Sequence, residues 1–372
     1  MKILEYLARF IVGVLFIISG FIKANDALGF AYKLDEYFLV FHTPFLSAIS
    51  LYLAMFICVL EIALGVATLI GYRMNLVSWL LLILIVFFTF LTFYSAYFNV
   101  VKDCGCFGDA IKLTPWGSFK KDIFLLVFIL IIFIRRHKIK AILSDSNGRL
   151  VYYSAIVLSS VFTIYTYRYL PIIDFRPFAP GKSIIEGMSI PDDAPRDSVV
   201  MYFIYEKDGQ QFEFTVDQLP EDLDQYTFVD RKDKVLKEGY KPPITDFSIN
   251  DFEGTSYTEE FLNKEGYVFI LVAYDLEKTN LDVQSEINAF ADIALKEGHS
   301  FIGLTSTSPD RTEELRHELS NPFQYYFCDG TVLKTMIRSN PGLILMKGGT
   351  IITYWPYTRL PLYGEVKNNI LK

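Results

Sequence analysis

The sequence has few of the residues on which several protein classes depend. Only 4 Cys occur in 372 residues, so a disulfide-dense scaffold is excluded. Charged residues make up 21% and sum to −7, with no strong basic stripe, which argues against a nucleic-acid-binding role. Just 4 His are present, and none stands near the one close cysteine pair to complete a tetrahedral metal set. No inverted repeat is visible and few polar residues interrupt the apolar runs, so a transporter is the least supported reading. What the chain has in excess is apolar. Its 52% of hydrophobic residues, with 33 Phe and 24 Tyr, rule out disorder and collagen. Mean hydropathy is +0.30, and most of the apolar excess lies before residue 171. At about 150 residues per domain the length gives two or three domains. The split predicts a membrane domain joined to a soluble one.

A hydrocarbon core about 30 Å thick needs about 20 mostly apolar residues per helix. Residues 3–22, 45–70, 76–98 and 150–170 meet that need. A fifth run, 123–134, reaches spanning length only if 116–122 continue the helix, with Lys120 and Lys121 snorkelling. No clear small-residue cleavage site follows Ile22, and more spans come after it, so the first run reads as a retained helix. The cluster Arg135-Arg136-His137-Lys138-Ile139-Lys140, with Arg149 and Arg73, marks the cytoplasmic side. Five spans then put the N-terminus inside, and the loops 23–44 and 99–116 outside with residues 171–372. The expected location is a bacterial inner membrane, with the C-terminal domain in the periplasm and the spans in the lipid bilayer.

The loop after the third span reads Asp103-Cys104-Gly105-Cys106-Phe107-Gly108-Asp109. Two cysteines one residue apart among glycines permit a local disulfide, which is strained and therefore exchangeable. A static bridge, or two thiols that merely fold the loop, weighs about as much. Cys58, inside the second span, reads as a small buried apolar residue. Cys328 reads first as an inert core cysteine, with exchange against the loop pair as the weaker alternative. Glu61 lies deep in the second span, where a carboxyl is costly unless paired or facing a polar cavity. It calls for a partner inside the bundle. Lys23, at the end of the first span, reads as an interfacial anchor.

Ser19-Gly20-Phe21-Ile22-Lys23, the Glu61…Gly65…Gly71 pattern and Cys104-Gly105-Cys106-Phe107-Gly108 resemble the MauE/DoxX-like family of four-helix membrane proteins, over roughly residues 1–138. The Cys-Gly-Cys-Phe-Gly loop is the most specific element. The resemblance implies thiol-redox chemistry in a membrane. MauE-type members work beside a thioredoxin-like protein in periplasmic protein maturation, and DoxX-type members are linked to quinone and sulfur redox chemistry. A quinone is thus the one cofactor the resemblance suggests, and a periplasmic or membrane protein is the implied partner.

Residues 139–170 form the cytoplasmic loop and fifth span, and 171–240 a polar, turn-rich segment. Within it, 202–206 and 211–216 around Asp208-Gly209 read as a β-hairpin. From residue 245 strands and helices alternate. Strands are expected at 267–274, 300–305 and 323–328, helices at 281–296, 310–319 and 331–337, a hairpin at 342–355 and a last helix at 362–371. The order resembles the thioredoxin-like fold over roughly 240–372, with Asn340-Pro341 at that family's cis-proline position. The family's Cys-X-X-Cys should follow the first of these strands. Asp275, Leu276, Glu277 and Lys278 stand there instead, so this domain lacks the attacking thiolate.

The expected fold is therefore an all-α membrane bundle, four-helix MauE/DoxX-like plus a fifth span. An α/β thioredoxin-like periplasmic domain with a small β-rich insert follows it. The expected function is thiol or disulfide exchange between the Cys104–Cys106 pair and a periplasmic partner. The alternative is a non-enzymatic scaffold or assembly factor whose redox-dead domain binds a partner, for instance as an extended peptide beside Pro341.

Overall fold

A computed structural model describes residues 2–101, 105, 108–111, 113–195, 198–220, 222–237 and 239–371. The first half is helical: α1 (Lys2–Asn25), α2 (Ala27–Val40), a 3-10 turn (Pro44–Ile49), α3 (Ser50–Ile70), α4 (Met74–Phe98), α5 (Pro115–Arg135) and α6 (Asp145–Tyr169). Four of these segments are long and apolar enough to cross a membrane: α1, Pro44–Ile70, α4 and α6. At 1.5 Å per residue, α1 alone reaches about 36 Å, more than a hydrocarbon core. Helix α5 does continue through 116–122 and has 21 residues, but its first turns carry Lys120, Lys121 and Asp122. Asp122 is buried. It pairs with Lys121 at 2.7 Å and accepts the Thr92 hydroxyl of α4 at 3.0 Å. Part of the charge is thus taken into the bundle rather than led out to the interface.

Helices α1 and α3 approach closely through glycine. A Cβ on Gly65 would lie 2.7 Å from the Gly13 carbonyl oxygen. Small residues at such a crossing let backbones touch where lipid gives no hydrophobic drive for association. Gly65→Ala must push backbone against backbone, and a loss of about 1–3 kcal/mol is expected. Unfolding of the detergent-solubilised protein measures it, and an unchanged stability would refute the close crossing.

The segment 23–44, expected as a loop, is mostly helix. Asp26 caps α2 by accepting the Gly29 amide at 2.9 Å. Phe30, Ala31, Leu34 and Tyr37 form its buried face. Lys33, Asp35 and Glu36 on the rest of the helix give it a polar look that hid this period.

The second half begins with a short helix α7 (Ile184–Met188) and an antiparallel sheet, β1 (Ser198–Lys207), β2 (Gln210–Thr215) and β3 (Thr227–Lys237), in the order β2-β1-β3. The β1–β2 turn uses Asp208 and Gly209 with φ of 54° and 75°, the paired positive values of a type I′ hairpin. Strand β3 extends the expected hairpin to three strands. Its Asp230-Arg231-Lys232-Asp233-Lys234 core carries no apolar alternation, as suits an exposed edge.

The remaining elements are α8 (Thr258–Leu262), β4 (Tyr267–Val272), α9 (Gln284–Lys296), β5 (Ser300–Thr305), α10 (Pro309–Glu318), β6 (Gln324–Phe327), α11 (Gly330–Met336), β7 (Gly342–Lys347), β8 (Thr350–Pro356) and α12 (Tyr363–Asn369). The sheet runs β6-β5-β4-β7-β8, with β4, β5 and β6 parallel and β7 and β8 antiparallel. Along β4, Val268, Ile270 and Val272 enter one core while Phe269 and Leu271 enter the other. Both faces of the sheet are therefore covered, which explains its near-continuous apolar strands. This is the thioredoxin-like arrangement, and the Asn340–Pro341 bond that leads into β7 is cis.

The domain sits on the end of the bundle where α1 stops. Asn25 of α1 accepts the amides of Ile172 and Ile173 and donates to the Ile173 carbonyl at 2.7 Å. The Thr358 hydroxyl donates to the Arg168 carbonyl at the end of α6, at 2.6 Å. At the opposite end Arg135 pairs with Glu5 at 2.8 Å, and Arg9 donates to the Thr68 and Leu69 carbonyls.

Candidate functional site

Between α4 and α5 runs the cysteine loop. Cys104 and Cys106 lie outside the described residues, but Gly105, Gly108 and Asp109 do not. Gly105 has φ 69°, and a Cβ there would lie 3.1 Å from Lys33 Cγ on α2. Gly105 thus rests on α2 in a left-handed conformation that favours glycine. Gly105, Gly108 and Asp109 line a cavity of about 440 Å³. Its walls include Lys23 and Asp26 from the bundle and Lys334 and Arg338 from the thioredoxin-like domain.

Arg338 closes this cavity. Its Nε donates to both Asp26 oxygens at 3.0 Å, and its Nη2 stands 2.9 Å from Asp26 and 3.4 Å from Asp109. Nη1 donates to the Lys334 carbonyl. Burial on its own would raise the Asp26 carboxyl. The charge and hydrogen bonds of Arg338, with the charge of Arg176 and the Gly29 amide, outweigh burial and hold Asp26 below the usual carboxylate range. One guanidinium therefore joins the start of α2, the end of the cysteine loop and helix α11. A second clasp lies beside it. Arg176 is buried and grips Asp174 through Nε and Nη2 at 2.8 and 2.7 Å, and the Tyr354 hydroxyl of β8 donates to the same carboxylate at 2.6 Å. This bidentate geometry orders the linker after α6 against the sheet.

Lys23 and Glu61 form a buried ion pair, 2% and 3% exposed, with Nζ 2.6 and 2.8 Å from the two carboxylate oxygens. Lys23 also donates to the Ser19 hydroxyl at 2.9 Å, which in turn donates to Glu61 at 3.0 Å. The expected interfacial anchor is thus corrected. Lys23 turns into the bundle because Glu61 on α3 crosses beside it, and it is the partner Glu61 requires. All three ammonium hydrogens have acceptors in Glu61 and Ser19.

At the degenerate redox position, Leu276–Lys278 forms a single 3-10 turn after β4. The Asp275 carbonyl accepts the Asn340 side-chain amide at 2.9 Å, and the Asn340 carbonyl accepts the Asn280 amide at 3.1 Å. Pro341 is buried. This edge of the domain is tied to itself and turned toward the bundle, where the Tyr32 hydroxyl of α2 donates to the Tyr274 hydroxyl at 3.2 Å.

Cys328 lies at the end of β6, fully buried, its amide donating to the Thr305 carbonyl at 3.0 Å. Burial pushes its thiol up to about 12, so it carries almost no thiolate at neutral pH and packs as an inert core residue. Cys58 is likewise free and buried, within α3.

Sequence patterns did not point to Asp26, Asp109, Arg176 or Arg338 as site residues. Asp26 has a local signal as a helix cap. Its pairing with Arg338, 312 positions away, has none.

Residues 1–135 match the MauE family, described as methylamine utilisation protein MauE. Residues 199–238 match a family described as a domain of unknown function (DUF8463). No curated protein matches the chain. Among solved structures, an uncharacterized conserved protein from Geobacillus kaustophilus is 17% identical, over 34% of this chain and 76% of its own, at a TM-score of 0.27. A "putative thiol-disulfide oxidoreductase" from Bacteroides vulgatus is 17% identical, over 33% of this chain and 81% of its own, at a TM-score of 0.25. Likeness of this size leaves the fold assignment resting on strand order and connectivity.

Proposed function

With residues 1–135 a MauE-family membrane domain, we propose that this membrane protein is of thiol-redox type, worked by the Cys104–Cys106 pair beneath a redox-dead thioredoxin-like cap. The observation that carries the reading is the position of Gly105, Gly108 and Asp109 in the cavity beneath that domain, with Asp109 3.4 Å from Arg338. The cap has no thiol of its own to offer, since Cys328 is buried and protonated. In the exchange, a substrate thiolate attacks the Cys104–Cys106 disulfide and expels one cysteine thiolate. A second substrate thiolate then breaks the mixed disulfide. The substrate leaves oxidised by two electrons, and the pair is left as a dithiol.

The basic end of the bundle, with Arg135 and Arg136, faces the cytoplasm in this reading. Helix α5 is the additional span, and the cap and cysteine loop share the oxidising, periplasmic side. A quinone does not fit the buried pair. Lys23 has no hydrogen left to donate to a quinone carbonyl without leaving Glu61 or Ser19. The scaffold alternative, a grip on a partner at Pro341, has less support because Pro341 is buried and the Asn340 carbonyl is already taken.

Equilibrating the full-length protein in detergent with thiol–disulfide buffers, and counting thiols by alkylation mass, tests the proposal. A working pair should titrate at roughly −120 to −200 mV, and a permanent structural bridge below about −300 mV. The low value would sink the reading. So would labelling of Cys104 by an impermeant reagent only after lysis of reduced spheroplasts.

A further inference from the structure

Two spaces meet at the seam between bundle and cap: the loop cavity of about 440 Å³ and a cleft of about 810 Å³ in front of the degenerate redox turn. Both fall in the size range of small-molecule sites. Tyr32, Asp35 and Lys334 line both. The other ionised side chains of the two linings sit in ion pairs, such as Lys33 with Glu36 and Lys278 with Asp275. Among the described residues Asp35 and Lys334 do not. Asp35 Oδ1 is buried with no hydrogen-bond partner among the described residues, which is costly for a carboxylate and asks for a donor from elsewhere. The Lys334 ammonium stands 5.1 and 5.6 Å from the ring centroids of Tyr32 and Tyr274, with no carboxylate in ion-pair contact among the described residues.

An uncompensated carboxylate on α2 and an uncompensated ammonium on α11 thus face the same space without meeting each other. We propose that the seam binds a zwitterion, an α-amino-acid-like thiol or disulfide, with its ammonium on Asp35 and its carboxylate on Lys334. Two fixed charges of opposite sign select a ligand carrying both, and Tyr32 and Tyr274 supply apolar walls around them. The inference rests on the proposed function for its chemistry, since it names the substrate class of the Cys104–Cys106 pair as a small thiol rather than a folded protein. The binding claim itself does not need the cysteines.

Equilibrium binding to the full-length protein in detergent tests it, using S-methyl-L-cysteine, which cannot exchange. The methyl ester of that probe lacks the carboxylate, and 3-(methylthio)propanoate lacks the ammonium. Each should bind about tenfold or more weaker, as expected for loss of a hydrogen bond to a charged group. Asp35→Asn should close the gap to 3-(methylthio)propanoate, and Lys334→Gln the gap to the ester. Because the ligand series runs on the unaltered protein, a variant that fails to fold does not remove the test. Equal binding of all three probes, or binding of none, overturns the proposal. The Cys104→Ser/Cys106→Ser variant separates the two readings. Retained zwitterion preference in it, beside a pair that titrates as a permanent structural bridge in the parent, would keep the site and sink the redox reading. A working redox pair with no zwitterion preference would do the reverse.

Discussion

Lys23→Met should destabilise the protein by about 3–5 kcal/mol, the usual effect of stranding one member of a buried ion pair. Glu61 would be left 3% exposed with only the Ser19 hydroxyl in place of an ammonium. The double variant Lys23→Met/Glu61→Met should recover most of the loss, because an apolar pair of similar volume removes both desolvation costs. Thermal unfolding in detergent distinguishes the outcomes. If the single variant is as stable as the parent, Lys23 does not lie in the bundle as described. If the double variant is no better than the single, packing rather than charge explains the loss.

Arg338→Ala acts on the seam instead. It removes the fork that holds Asp26 and Asp109 and leaves Asp26, half-buried, with only the Gly29 amide and the charge of Arg176. At neutral pH the expected cost is again about 3–5 kcal/mol, read as looser docking of the thioredoxin-like domain and faster proteolysis between α6 and α7. The sign of the pH dependence follows from Asp26. Its folded value lies below its ordinary 3.8. The stability it contributes is therefore present above that value and is lost as pH falls through the lower, folded one. The difference between parent and Arg338→Ala should be constant near neutrality and shrink in strong acid. A difference that grows on acidification would contradict the assignment. Arg338→Lys keeps the charge but not the fork, and should fall between the two.

The elements legible in the sequence were those whose signals are local. Four apolar runs gave the spanning helices, and the Asp208-Gly209 dipeptide gave a hairpin. The β/α order gave the thioredoxin-like sheet. The missing Cys-X-X-Cys was plain, as was the proline that leads into β7. Helix α2 was less so: its buried face of Phe30, Ala31, Leu34 and Tyr37 is interleaved with Lys33, Asp35 and Glu36, and it lies between two stronger hydrophobic signals. Strand β3 reads as a charge run because an edge strand buries little. The inward turn of Lys23 depends on which helix crosses it, a tertiary fact that hydropathy does not carry. The clasp at Arg338 was out of reach for the same reason. Its two acids lie on separate elements of the bundle, and only the docked domain makes them neighbours of one arginine.

That clasp also sets a schedule for biogenesis. Asp109 precedes Arg338 by 229 positions. At a synthesis rate of about 5–20 residues per second, roughly 10–45 s pass between the two leaving the ribosome. Throughout that interval the nascent bundle lacks the thioredoxin-like domain whose Lys334 and Arg338 wall the cavity at Gly105, Gly108 and Asp109. Under the proposed redox function, the first oxidation of the pair would take place in an open nascent chain and later turnovers under the docked domain.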